Sequence, residues 1–462
     1  MENYQEMRKQ LFCEPKHACR VMSEAEVAAA DAFAEGYKIF LDNGKTEREA
    51  VTTAVEMAKS RGFTEFDDKK TYRAGDKIYY NNRGKQLFLV TVGTEPLEKG
   101  LRIMAAHIDS PRLDLKPNPL YEDEEICFFK THYYGGIKKY QWTTIPLSMH
   151  GVISRKDGTD LTVRYGDADD EPKFVITDLL PHLADEQMKK TAREVISGEA
   201  LNILVGSRPF KDDEESQSVK LAIAKLLFDK YGITESDFLS AELCFVPAYR
   251  PADIGFDRSM IGAYGHDDKV CAYPALMAAF ANEHPAHTLV TVLADKEETG
   301  SEGPTGMQSR SFNYLIESLA LSQGTTALSV LTKSTCLSAD VTAAFDPQYP
   351  ETMEKRNASY LNKGVAVMKY GGARGKSSTT DASAEFMGEV RRMLDEEGVV
   401  WQTGELGRVD LGGGGTVAKY VARFNVDAVD IGVPVLSMHA PMEVISKLDL
   451  YSTYRAFVAF AK

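Results

Sequence analysis

The sequence predicts an α/β protein whose mixed, mostly parallel sheet carries helices on both faces. Apolar, β-branched runs such as Thr288–Ala294 alternate with segments of helical period such as Ser383–Glu397. This alternation is typical of a parallel sheet covered by helices. Residues 116–250 differ, because they offer short β-like runs separated by turns. We therefore expect a β-rich insertion at 116–250 between two parts of one α/β domain, residues 1–115 and 251–462.

The bulk composition describes an ordinary globular chain of 462 residues, with 43% hydrophobic and 26% charged residues. A net charge of −14 argues against non-specific binding to nucleic acid or to anionic membranes. The six cysteines are scattered without a Cys-x-x-Cys pair, and Met1–Phe12 is charged rather than apolar. No apolar run reaches the length of a membrane-spanning helix. We expect a cytoplasmic protein with reduced thiols.

The first 115 residues show clear helix and hairpin signals. Ser23–Glu26 and Thr46–Glu49 are capping boxes, which predict helices that end near Asn43-Gly44 and near Gly62. The remaining predicted elements of this part are a hairpin of Lys77–Tyr80 with Gln86–Val92 and a buried strand at Leu101–Ala106.

Within the insertion, Ile145–Ile153 and Leu161–Arg164 read as strands, and the very polar segment Lys211–Ser218 is typical of a mobile loop. The α/β alternation then resumes. The predicted elements after the insertion are helices at Val270–Ala281, Ser383–Glu397 and Leu448–Ala461, a helix after Gly412–Thr416, and strands at Thr288–Ala294, Leu337–Asp340, Gly364–Tyr370, Val399–Gln402 and Ala428–Val433.

Histidines and carboxylates recur where these predicted strands end, and side chains at such ends meet at one edge of a parallel sheet. Imidazole and carboxylate are zinc ligands, and two neighbouring metals can activate water together. Each residue alone also has an ordinary explanation, such as a solvated acidic turn, a helix cap or a structural histidine. The residues of this constellation are His107, Asp109, Asp267, Asp268, Glu297, Glu298, Asp340 and His439.

Three positions suggest more specific roles. Asp109, two residues after His107, is placed to accept the second imidazole N–H. Of the pair Glu297-Glu298, one glutamate can bind a metal while the other acts as general base. The run Gly412–Gly415 is either a flexible linker or a nest of N–H groups that receives a substrate carboxylate.

Five ordered motifs then point to a family. Together with Asp410–Thr416 they resemble the aspartyl aminopeptidase family of metalloaminopeptidases with two cocatalytic zinc ions, over nearly the whole chain. The motifs are Ala106–Arg112, Gly265–Cys271, Glu297–Ser301, Leu337–Asp340 and Leu436–Pro441.

The resemblance implies a role for each matching residue. Asp267 would bridge the two metals, and Asp268 beside it is not expected to bind either. Glu297 would serve as general base and acid. The implied terminal ligands are His107 and Asp340 for one zinc ion, and Glu298 and His439 for the other.

The resemblance also implies a phosphorylase/hydrolase-like α/β fold and a dimerisation role for the β-rich insertion. Family members assemble from dimers into tetrahedral homododecamers that admit peptides to an interior chamber. In this family a histidine from the partner subunit's inserted domain reaches the active site. His150, in Ile145–His150, is our candidate for it, with a plain strand histidine as the alternative.

The substrate is expected to be a peptide with N-terminal Asp or Glu. Arg374 and Lys376 lie in a region that resembles the family's acidic-side-chain pocket, and Gly413 and Gly414 would contact substrate. The run Gly-Gly-Ala-Arg-Gly-Lys at 371–376 is equally typical of a solvated loop, so a broad-specificity zinc aminopeptidase that prefers neutral or basic residues is the alternative. A catalytically inactive scaffold of the same fold is disfavoured because every ligand is present. Cobalt or manganese could replace zinc.

Overall fold

The structure, a computed structural model, describes residues 4–13 and 15–462. The first three residues and residue 14 of the predicted first segment lie outside this range. Within the described residues, no helix is long and apolar enough to cross a membrane. The strands are β1 (Thr64–Glu65), β2 (Lys77–Asn82), β3 (Gln86–Thr91), β4 (Leu101–His107), β5 (Arg112–Asp123), β6 (Ile126–Tyr134), β7 (Leu147–Ser154), β8 (Asp160–Tyr165), β9 (Ile203–Gly206), β10 (Ala241–Pro247), β11 (Ala252–Ile254), β12 (Met260–Ala263), β13 (Thr288–Ala294), β14 (Thr335–Ala339), β15 (Thr342–Ala343), β16 (Val365–Met368), β17 (Trp401–Thr403), β18 (Asp427–Gly432), β19 (Pro434–Leu436) and β20 (Glu443–Ser446).

Eleven α-helices occur in the same described ranges, together with several single 3₁₀ turns. The α-helices are α1 (Tyr4–Leu11), α2 (Glu24–Asn43), α3 (Glu47–Lys59), α4 (Asp185–Met188), α5 (Ser218–Tyr231), α6 (His266–Ala281), α7 (Ser311–Ser322), α8 (Ala327–Leu331), α9 (Ala384–Glu396), α10 (Ala418–Ala422) and α11 (Lys447–Phe460).

The central sheet has nine strands in the order β1-β2-β3-β13-β4-β14-β18-β16-β17. Its middle strands β13, β4, β14 and β18 are all parallel, whereas β2, β3 and β16 join through antiparallel pairs. The mixed, mostly parallel sheet predicted from the sequence is therefore confirmed. The parallel strands bring their carboxyl ends to one edge, where the ligand candidates follow β4, β13 and β14.

Helices cover both faces of this sheet. Along β3 the side chains alternate, so that Leu87 and Leu89 belong to the core formed with α2, α3, α6, α9 and α11, while Phe88 and Val90 belong to the core formed with α7, α8 and α10. Every one of these four side chains is buried. The two apolar layers explain why the central strands read as continuous apolar runs in the sequence.

The two helices predicted near the N-terminus from their capping boxes are present in the structure. In α2, Ser23 Oγ accepts the N–H of Glu26 and the Glu26 carboxylate accepts the N–H of Ser23, and α3 has the same reciprocal cap between Thr46 and Glu49. The predicted hairpin is β2 with β3, paired from Lys77 to Asn82. Reciprocal caps satisfy backbone donors that the first helical turn leaves free.

A second sheet contains strands β5–β10 in the order β8-β7-β10-β5-β6-β9, with every pair antiparallel. The first strand of this unit pairs with its last, because β10 lies beside β5 with Cys244 opposite Asp114. The chain therefore enters and leaves this sheet through neighbouring strands.

Two helices within this unit, α4 and α5, were not predicted. The polar segment 211–218 forms turns and leads directly into α5. The residue before α5, Gln217, has a left-handed backbone and gives no side-chain cap. With no capping residue at its start and apolar residues on several sides, α5 lacks both signals on which a sequence-based helix prediction depends.

A third, five-stranded sheet has the order β11-β12-β20-β19-β15. Its strands are two to four residues long, too short for an alternating pattern to be recognised in the sequence. Strand β12 leads into α6, and β19 leads to His439. This small sheet therefore positions ligand candidates that the central sheet does not reach.

Candidate metal centre

His107 is the last residue of β4, which lies between β13 and β14 in the central sheet. Its Nδ1 lies 3.0 Å from the backbone carbonyl oxygen of Asp109 and 3.3 Å from Asp109 Oδ1. The expected contact between His107 and the Asp109 carboxylate is therefore present, but the backbone carbonyl oxygen of Asp109 lies closer to Nδ1. With its proton on Nδ1, the imidazole directs the Nε2 lone pair toward Asp267 Oδ1, at 3.1 Å, and Asp340 Oδ1, at 3.8 Å.

Asp267 lies between two histidines. It sits in the first turn of α6, where Asp267 and Asp268 have non-helical backbone angles and share a cis peptide bond. Its Oδ1 lies 3.1 Å from His107 Nε2, and its Oδ2 lies 3.1 Å from His439 Nε2. One carboxylate therefore faces two imidazoles through different oxygens, which is the arrangement that a ligand shared by two metals requires.

The cluster extends on both sides of Asp267. His439 Nε2 lies 3.5 Å from Glu298 Oε2. Ligands held at about 2.0–2.2 Å from one zinc ion are about 3–3.6 Å apart in a tetrahedral site, so separations of 3.1 to 3.5 Å fit a metal. Two groups of side chains have their ligand atoms within 4.8 Å of one another, and they are His107 with Asp268 and Asp340, and His107 with Asp267 and Glu298.

The charges in this cluster are unbalanced in a way that a divalent cation would correct. Both carboxylate oxygens of Asp268 and Oε1 of Glu298 are buried without a hydrogen bond from the described residues. Burial raises the pKa of Asp268 to about 8. Burial, with the nearby charge of Asp267, also raises the pKa of Glu298 well above its usual value. Buried carboxylates with too few donors fit a metal site.

Glu297 precedes Glu298 in the turn that follows β13. The N–H groups of Glu297 and Glu298 donate to Oδ1 and Oδ2 of Asp109, at 3.1 and 3.2 Å. Burial, together with the charges of Asp109 and Asp267 and against the opposing effect of His107, raises the pKa of Glu297 to about 7. A carboxylate with a pKa near neutrality is suited both to accept a proton and to return it.

Tyr134 belongs to the site but carries no sequence signal that would place it there. Its hydroxyl donates to Asp109 Oδ2 at 2.7 Å. The Arg112 guanidinium lies 4.1 Å from the centre of the Tyr134 ring and is itself held by Glu47 at 2.8 Å and Asp114 at 2.7 Å. Tyr134 therefore fixes Asp109 from the side of the inserted sheet, through contacts made only after folding.

Ser110 and Lys269 lie inside the recognised motifs, but no sequence signal marks them as part of the site. Ser110 Oγ donates to the backbone carbonyl of Asp267 at 2.7 Å, and Lys269 Nζ donates to Ser110 Oγ at 2.7 Å. Lys269 is only 1% exposed. A lysine in the first turns of a helix is normally a surface residue, and nothing in the sequence marks this one as buried.

His150 does not fit the role that the resemblance implied. Its side chain is fully buried within its own chain, on β7. Nδ1 lies 2.8 Å from Glu49 Oε1, and Nε2 lies 2.9 Å from Ser148 Oγ and 3.3 Å from Asp167 Oδ2. With both ring nitrogens engaged and no exposed surface, His150 is unable to reach the active site of a partner subunit.

The predicted basic residues of the substrate pocket lie on one exposed loop. Lys376 Nζ forms an ion pair with Asp381 at 2.9 Å and lies 3.8 Å from the centre of the Tyr370 ring. Arg374 is exposed, and no carboxylate of the described residues pairs with it. Arg374 is thus the cation of this loop that is free to meet an acidic side chain.

The glycine run packs against the same loop. Gly414 donates its N–H to the carbonyl of Gly371 at 2.8 Å, and Gly413 has a φ of 103° where a Cβ would collide with Gly372. Beyond the run, Tyr420 on α10 donates to the carbonyl of Gly300 at 3.0 Å. The predicted substrate-binding segments therefore lie together, and α10, which follows the glycine run, contacts the turn that carries the two glutamates.

The fold and the ligand cluster define a metal-dependent hydrolase of the α/β class. Residues 40–461 match the family described as Aminopeptidase I zinc metalloprotease (M18). The chain belongs to this family of zinc aminopeptidases.

Its relatives agree along their whole length. A protein of Clostridium acetobutylicum named probable M18 family aminopeptidase 1 is 49% identical over 98% of this chain and 99% of its own. The crystal structure of an M18 aminopeptidase from Thermotoga maritima matches with a TM-score of 0.93 and 42% identity, over 98% of this chain and all of that one. A yeast aminopeptidase solved as a dodecamer shares the fold at 19% identity, with a TM-score of 0.75 over 94% of this chain and 97% of its own.

Proposed function

We propose that this zinc aminopeptidase releases N-terminal Asp or Glu from peptides with two metal ions that share Asp267. The observation that carries the proposal is the position of Asp267, whose two oxygens each lie 3.1 Å from a different histidine. His107 and Asp340 would hold one ion, and His439 and Glu298 the other. When bound, two metals of this kind lower the pKa of water and polarise a carbonyl group.

The proton transfers and the positioning of the reacting groups are carried out by residues of the chain. The Glu297 carboxylate accepts the proton of the attacking water and returns it to the nitrogen of the leaving amine. Asp109 holds the main chain of Glu297 in place through the hydrogen bond at 3.1 Å. Asp268 lies in the ligand cluster, and its unpaired oxygens face His107 and Asp340, so it supplies negative charge beside the first ion.

The preference for acidic N-terminal residues rests on Arg374. Arg374 offers five N–H donors in a fork that matches a carboxylate, and it has no acidic partner among the described residues. Lys376 is neutralised by Asp381. Because that ion pair reduces the positive charge of the loop, it favours the alternative, a broad-specificity aminopeptidase that accepts neutral or basic residues.

Self-association through the insertion is part of the proposal, first as dimers and then as a homododecamer. We treat residues 116–250 as the dimerisation domain between the two parts of the catalytic domain. It carries an apolar cavity of about 700 Å³ against α5. Leu226 and Phe228 on α5 are 63% and 52% exposed. Apolar groups exposed in this way are typical of protein–protein contacts, and the yeast neighbour is a dodecamer.

The test is steady-state hydrolysis of Asp-, Glu-, Leu- and Lys-p-nitroanilide by the zinc-loaded protein, with Glu297→Gln as control. We expect Asp and Glu to be preferred and Glu297→Gln to be inactive while it still binds zinc. Repeating the assay with cobalt or manganese identifies the metal that supports turnover best. A preference for Leu or Lys would retain the peptidase and exclude the acidic pocket.

A further inference from the structure

Glu443 is a buried carboxylate that connects two expected metal ligands through their backbones. It is the first residue of β20 and is 1% exposed. Its Oε2 accepts the N–H of Asp267 at 3.0 Å, and its Oε1 accepts the N–H of His439 at 2.7 Å. One side chain thus holds the main chain of the shared ligand and that of a terminal ligand.

Both ligands need such support, because neither lies in a regular element. Asp267 has φ and ψ of −75° and 106° in the non-helical first turn of α6. His439 follows β19 and has a left-handed φ of 64°, which costs a residue other than glycine about 1 kcal/mol. The two hydrogen bonds from these backbone N–H groups to Glu443, at 3.0 and 2.7 Å, hold both conformations.

Glu443 itself is fixed by the small third sheet. Its backbone pairs with Ala263 on β12, which is the strand that leads to Asp267, and β20 also pairs with β19, which leads to His439. The Glu443 side chain therefore holds the backbones of Asp267 and His439 in fixed positions relative to this sheet. No other described side chain has a hydrogen bond to both of these N–H groups.

We infer that Glu443 is a positioning residue that sets the spacing of Asp267 and His439, and through it the affinity of the centre for metal. The inference rests on the proposed roles of Asp267 and His439 as ligands. Their side chains meet at 3.1 Å, and a metal tolerates only about 0.2 Å of change in each ligand distance. A main-chain shift of either residue would therefore weaken binding.

The variant Glu443→Gln tests this directly. Glutamine keeps one acceptor oxygen, but its NH₂ group would oppose the second backbone N–H instead of accepting from it. We expect zinc affinity, measured by competition with a chelating dye, to fall about 10–100-fold, as is typical when a residue that orients a ligand is changed. The absorption spectrum of the cobalt-substituted protein should also shift, because that spectrum reports ligand geometry.

Asp449→Asn is the matched control. Asp449 is also fully buried, and its two oxygens accept the N–H groups of Asn362 and Gly364, each at 2.7 Å. None of these three residues belongs to the metal centre. We expect Asp449→Asn to lower the melting temperature of the metal-free protein while leaving zinc affinity and the cobalt spectrum unchanged.

The outcomes separate the two proposals. Equal zinc affinity in wild type and Glu443→Gln would overturn the positioning role alone, whereas a wild-type protein that binds no zinc would overturn the proposed metal centre with it. If Glu443→Gln stays unfolded even with excess zinc, and the shorter carboxylate of Glu443→Asp does the same, Glu443 is a folding residue and the inference is wrong.

Discussion

Asp109 connects His107 with the turn that carries Glu297 and Glu298. Its carbonyl oxygen faces His107, while its carboxylate accepts from the N–H groups of Glu297 and Glu298 and from the Tyr134 hydroxyl. Burial opposes the charged form of Asp109, but the hydrogen bonds from His107 and Tyr134 outweigh it and lower the pKa. Asp109 therefore stays ionised and holds the turn that carries Glu297 and Glu298 in a fixed position beside the end of β4.

Tyr134→Phe should impair catalysis without removing the metals. It deletes a hydrogen bond to a charged group, an interaction worth about 1.5–3 kcal/mol. We expect kcat to fall about tenfold or more, with KM changing less, because Tyr134 positions the turn that carries Glu297. Zinc content, measured on the same samples, should be unchanged.

Tyr133→Phe is the control for this change, since the neighbouring Tyr133 is 41% exposed and makes no hydrogen bond to Asp109. An undiminished kcat in Tyr134→Phe would show that Asp109 does not need the tyrosine.

At this scale the sequence predicts the residues that share short motifs and misses those that meet only in the fold. All five expected ligands lie in one cluster. His107, Glu298 and Asp340 follow strands that the apolar pattern locates, whereas Asp267 and His439 follow short strands of the third sheet and were found through their motifs alone. Tyr134 and Glu443 had no such signal. Tyr134 contacts Asp109 and Glu443 contacts Asp267 through hydrogen bonds between residues more than twenty positions apart.

At the scale of elements, α3 and the inserted sheet are joined by a buried charge cluster around His150. Glu49 closes the N-terminal cap of α3 with one carboxylate oxygen and accepts from His150 Nδ1 with the other. Asp167 meets His150 Nε2 and is itself paired with Lys45 and Arg164. Burial alone would lower the pKa of His150, but hydrogen bonds to Asp167 and Glu49 outweigh it and raise the pKa.

This cluster predicts a pH dependence of stability. The folded protein keeps a proton on His150 that the unfolded chain releases near pH 6.5, so the stabilisation is complete below about pH 6.5 and is lost as pH rises through the raised pKa. Each retained proton changes the unfolding free energy by about 1.4 kcal/mol per pH unit. From pH 6.5 to 8.5, the melting temperature of wild type should fall more steeply than that of His150→Gln.

His284→Gln is the control, because His284 is exposed on the loop before β13. Its melting curve should follow that of wild type across the same range. Parallel pH profiles for wild type and His150→Gln would refute a raised pKa at His150.

At the scale of the whole molecule, the exposed apolar face of α5 predicts assembly. Sedimentation should give a species of twelve times the 51.1 kDa chain mass. Leu226→Glu places a charge on this exposed face, where a covering subunit would have to bury it, so we expect smaller species with unchanged circular dichroism. A wild-type monomer, or a full assembly of the variant, would contradict this use of α5.

The fold was predictable to the extent that each element carries its own local signal. Capping boxes located α2 and α3, and apolar runs located β4, β13 and β14. The third sheet and α5 were missed because their strands are too short, and the helix start too poorly capped, to stand out from a loop. Such elements are stabilised by tertiary contacts, which local sequence patterns do not encode.

The shared role of Asp267 is tested by counting zinc ions per chain. We would dialyse the protein against saturating zinc, remove the free metal, and measure bound zinc by plasma mass spectrometry. Two ions per chain are expected for wild type, about one for Asp340→Asn, which loses a ligand of one site, and fewer than one for Asp267→Asn. A single zinc ion per wild-type chain at saturation would contradict a two-metal centre built on Asp267.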